Sequence, residues 1–259
     1  MRLEHALVLS QEEVYENTYL MWLSCKPAAK GAAPGRFLMI HCGDGYDPLL
    51  PRPMSFHRFR EAGGERQFAI LYDVRGRGTA WLSQRNPGDS LAVFGPLGRG
   101  YSLAAPAQNV LLVGGGLGVA PLPALADQAI AAGKAVTLLQ GARSAAKLLP
   151  SELLPHEVEA LSATDDGTTG HHGYVTQLLP SHLPWADQVF ACGPNAMFEE
   201  MARVMREARS RKPVQALLEE RMGCGTGICY GCAVFTRRGV RLVCKDGPRF
   251  ELREVFPVT

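Results

Sequence analysis

The sequence predicts a multi-domain chain: an all-β N-terminal part, a parallel α/β part, and a C-terminal arm built around cysteines. Three observations predict it. Short apolar runs separated by glycine- and proline-rich turns fill the region before Gly100, apolar strands alternate with helix-spaced apolar positions after it, and four of the seven cysteines crowd between positions 224 and 244. A length of 259 residues suits two modest domains and an appendage. The expected units are 1–100, 101–212 and 213–259.

In the first unit, candidate strands lie at 17–23, 37–41, 67–74 and 90–94, a spacing that favours a small antiparallel β-barrel over a sandwich. Three short motifs fall among them: Arg52-Pro53-Met54-Ser55, Leu71-Tyr72-Asp73, and Gly76-Arg77-Gly78-Thr79. Each alone reads as an ordinary turn. In this order they make sense as a flavin site. Arg52 can neutralise a pyrophosphate, Ser55 can hydrogen-bond the flavin nitrogen that carries the hydride, and the N–H groups of Gly78 and Thr79 can meet phosphate.

In the second unit, the apolar run 110–113 leads into Gly114-Gly115-Gly116-Leu117-Gly118-Val119-Ala120-Pro121, after which Leu122, Leu125, Ala126, Ala129 and Ile130 share one helix face. Further strands are expected at 135–139, ending at Ala163, and at 188–191. A helix with Phe198, Met201, Ala202 and Met205 on one face follows the last. Strand–helix alternation implies a parallel sheet. The glycine turn joins strand to helix, where backbone can approach a pyrophosphate and the helix N-terminus favours its charge. Cys192-Gly193-Pro194 ends a strand on the same ligand-binding edge, with Cys192 either close to the flavin ring or a plain buried cysteine.

The arm opens with a possible strand at 214 and then carries Cys224, Cys229, Cys232 and Cys244, spaced C-x4-C-x2-C-x11-C. The first three match the plant-type ferredoxin loop that holds a 2Fe-2S cluster. Gly223, Gly225, Gly227 and Gly231 let the loop curl and aim backbone N–H groups at sulfur. Structural zinc also takes four thiolates, though more often through paired C-x2-C knuckles. Tyr230 is assigned no role.

Composition excludes several classes. A net charge of +2, with no run of Lys and Arg interleaved with aromatics, lacks the footprint of a nucleic-acid binder. No apolar run approaches the roughly 20 residues of a membrane helix, and residues 1–10 do not read as a secretory signal. A cytoplasmic location is expected, where clustered cysteines read as metal ligands rather than disulfides. His171-His172 reads as a solvated loop, since adjacent side chains point apart, and Asp165-Asp166 as a turn cap. No general base is assigned.

With these residues in hand, the chain resembles the electron-transfer subunit of the NAD-dependent (class 1B) dihydroorotate dehydrogenase, within the ferredoxin-NADP reductase-like superfamily. The resemblance rests on the motifs at 52–55, 78–79, 114–121 and 192–194, on Gly98-Arg99-Gly100, on 163–167, and on 222–232 with 243–248. It implies a barrel binding FAD, a nucleotide domain binding NAD, and a 2Fe-2S arm facing an FMN-containing catalytic subunit in an α2β2 heterotetramer. Electrons would run from that FMN through cluster and FAD to NAD, in pyrimidine biosynthesis. Two departures stand out: Met54 replaces the aromatic many superfamily members place against the flavin, and the C-terminal aromatic that often covers the ring has no counterpart. Arg143 could meet a 2'-phosphate and favour NADP, whereas the family implies NAD. The competing readings are a reductase subunit of another complex, such as a hydrogenase or a sulfide-dependent enzyme, and a zinc-stabilised binding module.

Overall fold

The computed structural model describes residues 2–43 and 45–257; the outermost positions of the expected first and last units, Met1 and 258–259, lie outside the described residues. The N-terminal strands are β1 (Glu4–Tyr15), β2 (Thr18–Ser24), β3 (Phe37–Ile40), β4 (Arg52–Ser55), β5 (Arg58–Ala62), β6 (Glu65–Asp73) and β7 (Ser90–Leu97), with short helices α1 (Lys26–Ala29) and α2 (Arg77–Leu82) between them. They form one antiparallel sheet in the order β4-β3-β7-β1-β2-β6-β5. Its two edge strands are consecutive in the chain, separated only by Phe56 and His57. That short link forces the sheet to curl on itself as a barrel. The backbone N–H of His57 donates to Ala69 O at 2.8 Å, fastening the link to β6.

Three of these strands escape the apolar-run criterion. Only alternate positions of β1 are buried, β4 contains Pro53, and β5 (RFREA) is mostly charged. Both β4 and β5 are edges, where a missing ladder donor or an outward charge costs little.

The second sheet is built by β8 (Asn109–Gly115), α3 (Leu122–Ala131), β9 (Ala135–Ala142), β10 (Glu159–Thr164), β11 (His171–His172), α4 (Leu179–His182), β12 (Gln188–Cys192), α5 (Asn195–Glu207) and β13 (Val214–Leu217). After them come the hairpin β14 (Ala233–Thr236) and β15 (Gly239–Leu242), then α6 (Val243–Asp246), β16 (Arg249–Glu251) and α7 (Leu252–Val255). The strand order is β11-β10-β9-β8-β12-β13-β16. All pairs are parallel except β13·β16, so the sheet is mixed where a parallel one was expected. The reason is that the chain returns from the cysteine loop and hydrogen-bonds along the free edge of β13. From β8 the chain winds outward to β11, then crosses to β12 on the other side of β8. That reversal creates a switch point between β8 and β12, where such sheets bind ligands.

The cysteine loop is therefore an insertion between two strands of this sheet. It also has an apolar anchor: Cys232, Leu242, Val243, Cys244 and Phe250 belong to one core cluster with Phe37, Met39 and Leu97 of the barrel and Leu111 and Val113 of β8. Barrel and α/β sheet are joined by Arg58, which meets Asp127 of α3 through two hydrogen bonds of 2.9 and 2.8 Å, and by Tyr101, whose backbone N–H donates to Pro34 O at 2.9 Å and whose hydroxyl donates to Ala191 O at 3.1 Å. Among the described residues no helix is long and apolar enough to cross a membrane.

Candidate functional site

Between the two sheets lies a cleft of about 470 Å³. Pro53, Met54 and Ser55 of β4 and Leu71 and Tyr72 of β6 form one wall; Leu117, Ala120 and Pro121 of the glycine turn form another. Residues 217–222, running from the end of β13, close the third side. The first two walls bring together motifs predicted separately. The third was not anticipated, because nothing in 217–222 marks it locally. Met222, at its end, lies two residues before Cys224.

Beside the cleft, Arg52 extends over the first turn of α2. A Cβ at Gly78 would stand 2.8 Å from Arg52 Nε, so a side chain there would push the guanidinium aside. Arg52 Nη1 donates to Leu50 O at 2.6 Å, which holds it in place. The Thr79 hydroxyl accepts from the backbone N–H of Arg75 (2.9 Å) and Gly76 (3.3 Å), leaving its own backbone N–H among the unpaired donors of a helix start. Arg52 and these donors form a cradle suited to a pyrophosphate. Tyr72 presents only its ring, since its hydroxyl donates to Gln11 Oε1 at 2.6 Å; Asp73 accepts from Thr18 Oγ1 at 2.7 Å and pairs with Arg75.

Across the cleft the glycine turn packs directly on Cys192-Gly193-Pro194, because Gly114 and Cys192 are register partners in β8 and β12. A Cβ at Gly115 would stand 2.7 Å from Met197 Sδ, and one at Gly118 would overlap the Cys192 carbonyl. Gly116 has φ of 56°, in the left-handed region, with open space around it. The turn can thus take a phosphate at its outer surface. Cys192 is buried behind the cleft wall, and its Sγ lies 3.6 Å from Glu219 Oε1. Burial raises the Cys192 thiol well above its usual range. Although the Glu219 side chain keeps access to the open cleft, loss of solvent around its carboxyl raises that group too. The thiol donates to the carboxylate beside the cleft, and of this pair only Cys192 was legible beforehand.

The four clustered cysteines divide into an outer and an inner pair. Cys229 is exposed and Cys224 partly so, whereas Cys232 and Cys244 are buried. Backbone N–H groups converge on the sulfurs: Thr226, Ile228 and Cys229 on Cys224 at 3.4 Å each, Gly231 on Cys229 at 3.5 Å, and Cys244 on Cys232 at 3.4 Å. Partial burial opposes ionisation of Cys224, yet donation from Cys229, Thr226 and Ile228 outweighs it and pulls the thiol down to about 5. Burial pushes Cys244 up to about 12. Gly225 and Gly227 are left-handed (φ 67° and 83°), and a Cβ on Gly225 would stand 2.8 Å from Met39 Cγ, so the loop is pressed against β3. N–H donors aimed at thiolate sulfur are what an iron–sulfur cluster's ligands require. Among the described residues no three His, Cys, Asp or Glu side chains converge on one point as a single-ion site needs. Four cysteines serving two irons need no such point. The donor set fits a 2Fe-2S cluster.

Other singled-out residues stay apart from the cleft. His171 Nε2 bonds Gln177 Oε1 at 2.8 Å, and Asp166 caps its turn by accepting from the backbone N–H and hydroxyl of Thr168 at 3.0 and 2.7 Å. Arg143 is exposed just past β9.

Residues 219–256 match a family model described as the iron-sulfur cluster binding domain of dihydroorotate dehydrogenase B. Over 252 residues the chain is 38% identical to a Desulforamulus reducens protein named dihydroorotate dehydrogenase B (NAD(+)), electron transfer subunit, covering 95% of each. It is 40% identical to the protein of that name from Geobacillus thermodenitrificans, covering 97% of this chain and 98% of the other. Among solved structures, a chain of an NADH-dependent reduced ferredoxin-NADP oxidoreductase, described in terms of flavin-based electron bifurcation, superposes with a TM-score of 0.83 at 28% identity over 98% of this chain and 90% of its own. The cytochrome b5 reductase domain of Ulva prolifera nitrate reductase shares the fold, with a TM-score of 0.64 at 15% identity over 82% of this chain and 94% of that one.

Proposed function

The chain belongs to the electron transfer subunits of NAD-dependent dihydroorotate dehydrogenase B, and from that membership we propose that it carries electrons between a dihydroorotate-oxidising partner subunit and NAD+ in pyrimidine biosynthesis. One observation carries the reading beyond the name. Residues 217–222 line the cleft between the two sheets and run directly into Cys224, so cleft and cysteine loop share a wall. When bound, a 2Fe-2S cluster passes single electrons and FAD turns them into the two-electron hydride exchange of a nicotinamide.

The chain's own residues then have the following parts. Arg52 and the backbone N–H groups of Gly78 and Thr79 hold the FAD pyrophosphate, while Pro53, Met54, Leu71 and Tyr72 pack the ring; Asp73 braces Arg75 at the rim. Ser55 lines the cleft where its hydroxyl can meet the reacting flavin nitrogen. Gly115, Gly116 and Gly118 keep the turn open for the NAD pyrophosphate. Cys192 stands behind the wall, its thiol donating to Glu219. Cys224, Cys229, Cys232 and Cys244 hold the cluster, with the outer pair toward solvent and the partner.

Ile228 and Tyr230, on the cysteine loop, are 80% and 65% exposed, which supports docking of the FMN-containing subunit there, in an α2β2 assembly. The units 1–100, 101–212 and 213–259 then divide the work as flavin, nucleotide and cluster parts. Seven cysteines, none in a disulfide among the described residues, suit a cytoplasmic setting. We assign NAD rather than NADP on the family name, with Arg143 left to solvent.

Anaerobic titration of the purified chain with NADH, followed by its visible spectrum with iron, sulfide and FAD assayed on the same sample, tests the reading. Bleaching of flavin and cluster bands at about two irons and one FAD per chain supports it. A colourless protein holding one zinc and inert to NADH overturns it, and recovery of a hydrogenase subunit instead of a dihydroorotate-oxidising one overturns the partner assignment.

A further inference from the structure

Where the cysteine hairpin folds back on the α/β sheet, a second cavity of about 450 Å³ is lined by Arg99, Arg238, Arg241 and Arg249 together with Asp246, Glu251 and Glu254. It shares no lining residue with the flavin cleft. Guanidinium groups gathered in one cavity repel each other unless counter-charge lies among them. The carboxylates there meet backbone N–H groups or Arg238 rather than the other three guanidinium groups. Asp246 Oδ2 accepts from Leu242 N at 2.8 Å, Glu251 Oε1 from Val214 N at 3.3 Å, and Glu254 only approaches Arg238, at 4.0 Å. The side chains of Arg99, Arg241 and Arg249 make no hydrogen bond or ion pair among the described residues, and Nε of Arg249 is fully buried without a partner. An orphaned, buried charged donor is costly, and bound anion is the ordinary remedy.

We propose that this cavity binds a small phosphate-bearing molecule, its phosphate gripped by Arg99, Arg241 and Arg249. Planar guanidinium forks match phosphate oxygens in pairs, and the volume lies in the range of small-molecule sites. The three carboxylates narrow the class further. They keep lone pairs that accept hydrogen bonds from hydroxyl groups beside the phosphate, so the ligand is a phosphorylated polyol. Its grip would span three places: Arg99 beside the Gly98 turn, Arg241 on β15, and Arg249 on β16. Occupancy would brace the seat of the cysteine loop.

Isothermal titration of the full chain as purified, with NAD+ kept saturating so that the nucleotide turn is filled, tests this with glycerol 3-phosphate as probe and sodium sulfate at matched ionic strength as control. The expected result is one saturable site for glycerol 3-phosphate, weakened about tenfold or more in Arg241→Gln, as loss of a charge-assisted hydrogen bond implies. Arg249→Gln should act alike, and Arg60→Gln, on the barrel, should change nothing. Because Arg249 is partly buried, Arg241→Gln with an unchanged circular dichroism spectrum decides the matter if Arg249→Gln fails to fold. Absence of saturable binding up to about 10 mM, a range in which a three-arginine phosphate site would fill, overturns the proposal. So does equal affinity in wild type and Arg241→Gln, or binding matched by sulfate. Loss of the site on adding the catalytic subunit, with Arg241→Gln weakening that complex, overturns it in favour of a partner's acidic segment.

Discussion

Acid should loosen the barrel from the nucleotide turn through one side chain, His57. It is 0% exposed, its Nδ1 lies 2.7 Å from Ala120 O, and its Nε2 is buried with no partner. A carbonyl only accepts, so Nδ1 carries the hydrogen and Nε2 a bare lone pair. Protonation would place a charge and an unpaired N–H in the interior. Burial therefore drives the imidazole from 6.5 down to about 4, with nearby Arg58 adding to the shift and the Ala120 bond opposing it. The folded value lies below the unfolded one, so the unfolded chain binds the proton first as pH falls. Stability is full above the unfolded value, declines as pH falls through it, and levels off below the folded value. The full span is worth about 3 kcal/mol, and about 2.5 kcal/mol of it appears between about pH 7.5 and pH 4.5. Urea unfolding of wild type and His57→Gln at those two pH values isolates this contribution, since glutamine keeps a donor for Ala120 O but cannot titrate. Wild type should lose about 2.5 kcal/mol more than the variant on acidification. Equal losses in the two proteins, or a histidine resonance at this site titrating near the ordinary imidazole value, would refute the argument.

Cys229→Ser and Cys244→Ser should both abolish cluster absorption, but Cys244, buried in the shared core, should cost about 1–2 kcal/mol more in thermal or urea unfolding than exposed Cys229. In both, NADH should still reduce the flavin, because the cleft is built without them. Gly118→Ala forces a Cβ into the Cys192 carbonyl and should slow flavin reduction by NADH about tenfold or more at unchanged FAD content, as stopped-flow traces would show. Ile228→Asp should weaken co-purification of the catalytic subunit by about 1–3 kcal/mol of binding while leaving flavin reduction by NADH intact.

Several parts of this molecule were legible in the amino-acid order. The spacing of Cys224, Cys229 and Cys232 is a local constraint, since a loop that short can curl around a cluster only with glycines between the ligands. The run 110–113 announces a strand covered on both faces, and glycines at 114–118 announce the close approach that follows it. Edge strands β4 and β5 were not legible, because prolines and charges are tolerated at an edge that only sheet order defines. Other features depend on pairings between residues far apart in the chain, and no local period encodes them. The link at Phe56 and His57 closes the barrel only because β4 and β5 fall at opposite ends of the sheet. β16 adds to β13 across the whole cysteine loop, and that pairing turns an apparent appendage into part of the α/β core. Glu219 reads as an unremarkable acid after a short strand; it meets Cys192 because β12 and β13 lie side by side. Sequence thus determined which chemistry the chain could carry, through spacings short enough to act within one loop. Tertiary structure decided where that chemistry meets, because burying two sheets against a shared core brought residues 52–55, 114–121 and 217–222 to one cleft.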